Sequence, residues 1–222
     1  MVGRLAAVAV GGQLVFVASW LVAQALEPRY DPQAERVSGL AASNAENPWI
    51  VTVGVLAWAL GTAAAGETLR RALPRRRLWW LAVVALWVAA AGMVAAAALP
   101  LDCSVAAGGE CLRRAEAGDL SWRHEGHEAA AGLILVALGF SPFALWLALR
   151  PGRAARIALA CGVAGLVVFQ FVKDTVSLDA GDTGAGQRIL LLLTVLWLCA
   201  LAGLSRRATR RRDGRYRPSS RG

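Results

Sequence analysis

Both histidines of the chain fall in one short stretch, His124-Glu125-Gly126-His127-Glu128. If a helix begins early enough to include them, His124, His127 and Glu128 share one face at spacings of three and four. Asp102 lies just after Pro100, at the end of an earlier hydrophobic run, so Asp102, His124 and His127 can converge at one boundary. Two imidazoles and a carboxylate are a ligand set for Zn²⁺ with one open water position. Such a metal lowers the pKa of bound water and permits hydrolysis, with Glu128 or Asp174 as general base. The pattern lacks the glutamate placement of the His-Glu-x-x-His metalloprotease helix. Two other readings stay open. One is a polar helix N-terminus, where Glu125 and Glu128 favour the positive end of the dipole. The other is a histidine pH sensor or proton path.

Two cysteines stand close by. Cys103 and Cys111 enclose a short glycine-containing loop, and in an oxidising compartment they can form a disulfide. No Cys-x-x-Cys redox pair is present, so the expected role is a loop staple. Cys161 and Cys199 lie within hydrophobic runs and read as small core residues. Lys173-Asp174 ends a short hydrophobic run. Ionisable groups at that depth are costly and often functional, although the two can neutralise each other, or Asp174 can pair with Arg188.

The elements that would position these groups are legible from composition. Of 222 residues, 57% are hydrophobic and 18% charged, and mean hydropathy is +0.49. Soluble domains carry about 25% charged residues. The apolar excess excludes disorder for most of the chain, and four cysteines exclude a disulfide-rich miniprotein. Six uncharged runs predict an all-α bundle of six transmembrane helices, at about 5–26, 47–68, 78–101, 128–149, 155–173 and 187–205. Strands are excluded, because unpaired backbone cannot cross lipid and no period-two alternation is present. The fifth run holds only 16 uncharged residues and must recruit its flanks. Arg4 and Ala23-Gln24-Ala25 imitate a signal peptide, but the apolar run exceeds the usual 7–15 residues, so the first span reads as uncleaved. Trp20, Trp49, Trp79 and Trp80 lie near span ends, where an aromatic belt belongs.

Charge is sided. Arg4, the loops at 70–77 and 150–156, and the tail together hold 17 of the 24 basic residues. The positive-inside rule places that side, and both termini, in the cytoplasm of a plasma-membrane protein. Glu67 and Asp213 are the only acids there; the other 13 of 15 fall on the opposite side. The tail at 206–222 reads as a basic, disordered extension of the transmembrane domain at 1–205, suited to anionic membrane lipids. No aromatic or folded module accompanies its arginines, which argues against nucleic acid. Alanine and glycine faces allow close helix packing and also suit homo-oligomers.

Tyr30-Asp31-Pro32, Val37-Ser38-Gly39-Leu40-Ala41-Ala42 and Pro48-Trp49 form one set of short motifs. Leu99-Pro100-Leu101-Asp102-Cys103-Ser104 and Leu120-Ser121-Trp122-Arg123-His124, leading to His127, form another. Together they resemble domain-of-unknown-function family 998 across about residues 5 to 205. The resemblance implies a bundle of about six membrane helices and no established activity. The Ser-Gly-Leu loop is also loosely similar to an outer-loop motif of eukaryotic membrane proteins linked to lipid and GPI-anchor remodelling. The leading expectation is a lipid- or envelope-associated membrane protein with a polar outer site. Asp31 and Ser38 would cap or line it, Asp102, His124 and His127 would form its centre, and Cys103–Cys111 would brace it. The alternatives are a metal-dependent hydrolase of lipid-linked substrates, and a transporter or proton-coupled carrier.

Overall fold

The computed structural model describes residues 1–72, 78–104, 107, 109–149, 152–175 and 183–215, and their side chains except at 171–175, 183 and 210–215. Those residues are helical or in loops, with no strand among them. The helices are α1 (Val2–Leu26), α2 (Pro48–Ala72), α3 (Trp79–Ala98), α4 (Gly109–Glu116), α5 (Trp122–Leu149), α6 (Arg153–Thr175) and α7 (Thr183–Arg215). A 3₁₀ turn at Val37–Ala41 sits in the α1–α2 loop. All but the short α4 are long and apolar enough to cross a membrane. Two boundaries differ from the charge pattern. Helix α5 begins at Trp122, well before the uncharged run, and α7 continues past Ser205 into the arginine-rich segment as far as Arg215. Helix backbone satisfies its own hydrogen bonds whatever the side chains, so loss of hydrophobicity does not end a helix. Residues 216–222 lie outside the described part.

The six long helices form a closed ring: α1 packs on α2, α2 on α3, α3 on α5, α5 on α6, α6 on α7, and α7 on α1, with α2 also touching α7. Small residues set the closest approaches. A Cβ on Gly12 would lie 2.3 Å from the Ala57 carbonyl oxygen, and one on Gly61 would lie 3.0 Å from that of Ala9. Hence α1 and α2 touch backbone to backbone, which is how helices associate in lipid. Of the tryptophans expected near span ends, Trp49 and Trp80 are exposed, Trp79 is half-buried against the core and Trp20 is buried in it.

A proline decides the local geometry of α5. Pro142 lies inside α5 and cannot donate to Leu138. The Ser141 hydroxyl donates to the Leu138 oxygen instead, at 2.9 Å, and accepts from Trp197 Nε1 of α7 at 3.0 Å. This pins the C-terminal half of α5 to the middle of α7. Towards the end of the bundle that carries the 27–47 and 99–121 loops, here the loop end, the wall between the two helices opens into a cavity.

Candidate functional site

The second loop is built around Asp102. Its carboxylate accepts from the Ser121 amide at 2.7 Å and the Ser121 hydroxyl at 2.6 Å. Ser121 immediately precedes α5, and its hydroxyl accepts from the His124 amide at 3.4 Å, so Asp102 fixes the residue that caps the helix. The two Ser121 hydrogen bonds hold the Asp102 carboxyl below its ordinary range, with Arg114 at 3.6 Å adding a smaller attraction. Cys103 and Cys111 are joined by a disulfide, which ties the start of α4 to the residue after Asp102. The first and second loops meet where the Ser43 amide donates to the Leu101 oxygen at 2.8 Å.

The histidines do different work. His127 Nδ1 lies 3.0 Å from the Ala96 oxygen and 2.9 Å from the Leu99 oxygen. A carbonyl can only accept, so Nδ1 carries the proton. The Ala96 oxygen would ordinarily accept from residue 100, but residue 100 is proline and has no N–H. His127 therefore satisfies a carbonyl that Pro100 orphans, as Ser141 does for Pro142. His124 has the opposite role: its Nδ1 accepts from the Asp102 amide at 3.3 Å. The expected convergence of Asp102, His124 and His127 is thus partial. His124 meets the Asp102 backbone, the Asp102 carboxylate faces Ser121, and His127 faces the end of α3. Among the described residues no group of three His, Cys, Asp or Glu side chains is placed to hold a metal ion. The Asp174 side chain lies outside the described part, while Arg188 is committed to the first loop.

That first loop is held by the N-terminal turns of α7. The Tyr30 hydroxyl accepts from Arg188 at 2.5 Å and donates to the Glu35 oxygen at 3.0 Å. Arg188 also donates to the carbonyls of Pro32 and Glu35, and its guanidinium lies over the Trp20 and Tyr30 rings. Burial pushes the Tyr30 hydroxyl pKa up, against the pull of Arg188. The Asp31 carboxylate accepts from the Gln33 amide at 2.8 Å, closing a local turn away from the cavity. Gln187 Oε1 accepts from the Val37 amide at 2.7 Å. Gly184 permits this contact: a Cβ there would lie 2.2 Å from the Glu35 oxygen.

Between this loop and the ring lies a cavity of about 410 Å³. Its floor is Phe16 of α1 stacked on Trp58 of α2, ring centroids 4.3 Å apart. Its walls are apolar side chains of α2, α3, α5, α6 and α7. Its mouth carries Arg36, Ser38, His127, Glu128 and Gln187. Arg36 and Glu128 pair across the mouth at 3.2 Å, each 44% exposed. An exposed pair of this kind contributes about 0–1 kcal/mol, so it exchanges partners readily. Leu135 and Phe169 line the cavity and are 41% and 44% exposed. Ser38, His127 and Glu128 were legible as candidates. Arg36 and Gln187 were not, since each is an isolated polar residue whose partner is remote in sequence.

The chain matches no curated protein and no solved structure. Residues 10–204 match the family described as protein of unknown function (DUF998), and the chain therefore belongs to that family.

Proposed function

We propose that this is a multi-pass plasma-membrane protein that holds an amphiphile in the cavity at its loop end, with that end facing outward. One observation carries the reading: an apolar chamber within a ring of membrane-length helices, closed by a charged and polar mouth. Binding sites of this size are usually apolar concavities with a few polar groups fixing orientation. A lipid tail suits the walls and a head group suits the mouth. Asp102, the disulfide, Tyr30 and Arg188 build the loops that frame the mouth.

The test is extraction of the detergent-purified protein followed by mass spectrometry of its lipids, beside an Ala131→Trp variant that fills the chamber from α5. About one retained amphiphile per chain, lost in the variant with folding intact, is the expected result. Equal retention by both proteins would overturn it.

A zinc-dependent hydrolase is the second reading; His127 alone supports it, with no ligand set of three around it among the described residues. Its Nδ1–H is fixed by carbonyls, as in metal-bound histidines, which leaves Nε2 as the free nitrogen of a cavity-lining residue. Metal analysis of the same preparation, with His124→Ala and His127→Ala, decides it; no zinc in the wild type removes it.

A further inference from the structure

A second apolar cavity, of about 330 Å³, lies between α5, α6 and α7. It shares Leu135, Phe169 and Leu190 with the first, so the two apolar cavities adjoin at three side chains. The mouth of the first cavity carries one formal cation and one formal anion, Arg36 and Glu128, 3.2 Å apart. No other Arg, Lys, Asp or Glu lines either chamber among the described residues.

This arrangement is complementary to a head group that itself carries one charge of each sign. A phosphate diester accepts a bidentate fork from Arg36, replacing the Glu128 carboxylate. An ammonium on the same head group donates to Glu128, replacing the guanidinium. Each residue exchanges its partner for an equivalent one, and neither charge is left unpaired. An anionic head group without an amine would satisfy Arg36 and leave Glu128 with water alone, without a cationic partner. A quaternary ammonium would be held best by an aromatic cage. The mouth instead offers acceptors that a primary ammonium can use, on Glu128 and Ser38. Each of the two adjoining apolar cavities would take one tail of a two-tailed lipid.

We propose that the site selects a diacyl phospholipid with a primary-amine head group, of the phosphatidylethanolamine type, drawn from the surrounding leaflet. The proposal rests on the amphiphile reading above and adds the head-group class to it.

The test is displacement of a phosphatidylethanolamine labelled on one acyl chain from the full-length protein in maltoside micelles. The competitors are unlabelled phosphatidylethanolamine, phosphatidylglycerol and phosphatidylcholine with the same tails. The ethanolamine lipid should compete at up to about fivefold lower concentration than the other two, the factor expected from one partly exposed charge pair. Glu128→Gln should abolish that preference and improve phosphatidylglycerol relative to the wild type. Arg36→Gln should weaken all three. Both residues are exposed, so both variants should fold, and the wild-type comparison needs no variant at all. Equal competition by all three lipids, or preference for phosphatidylglycerol, would overturn the head-group assignment and leave the amphiphile reading standing. Failure of the labelled lipid to bind the wild type, or unchanged binding by Ala131→Trp, would overturn both.

Discussion

At the residue scale, Asp102 shows how a side chain that looked catalytic serves the architecture. A carboxylate beside two histidines suggests chemistry, but its oxygens are taken by Ser121. Replacing it by alanine leaves the Ser121 donors without their acceptor, and should cost about 1–3 kcal/mol. The pH dependence follows in sign. The Ser121 hydrogen bonds depress the native carboxyl pKa, so the contribution is present above the unfolded value of about 4 and is lost as pH falls through the native value. Thermal melting between pH 6 and pH 3 should therefore show a smaller acid loss in Asp102→Asn than in wild type. An identical acid loss would mean that Asp102 is not held as described. What the sequence concealed here was partner choice. His127 meets the Ala96 oxygen because Pro100 has no N–H, and Ser141 meets Leu138 because Pro142 has none. The proline and its orphaned carbonyl were readable four residues apart. Which remote donor arrives was not, because that depends on how α3 and α5 pack.

At the element scale, the long helices were legible because six uncharged runs leave no alternative to helix in lipid. The short elements were not. Helix α4 and the 3₁₀ turn are stabilised by a disulfide and by contacts with α7, all set by tertiary structure. Helix packing yields a sharp prediction at two adjacent glycines. Gly12 meets the Ala57 carbonyl, whereas a Cβ on Gly11 meets nothing within 4 Å. Gly12→Ala forces two backbones apart and should cost about 1–3 kcal/mol, the range for overpacking. Gly11→Ala gains helix propensity of up to about 1 kcal/mol and should be neutral or stabilising. Melting of the two purified variants in the same detergent measures the difference. Equal effects would show that α1 and α2 do not approach at Gly12.

At the scale of the whole molecule, two unrelated kinds of physics favour one orientation. Insertion favours arginine-rich segments on the cytoplasmic side, and Arg70 and Arg71 at the end of α2, Arg153 and Arg156 at the start of α6 and the C-terminal part of α7 share one end of the bundle. Disulfides persist in oxidising compartments, and Cys103–Cys111 lies at the other end. Had the bond lain at the arginine end, one argument would have contradicted the other. The prediction concerns single cysteines placed at exposed positions of each end, Asn44→Cys in the first loop and Arg207→Cys on α7, in a background where Cys161 and Cys199 are serine or alanine. A membrane-impermeant maleimide should label Asn44→Cys in intact cells and label Arg207→Cys only after permeabilisation. The reverse pattern would place the cavity mouth in the cytoplasm. It would also change the lipid source, because a mouth on that side can draw only on the inner leaflet, where the arginines now assigned there would no longer meet anionic head groups.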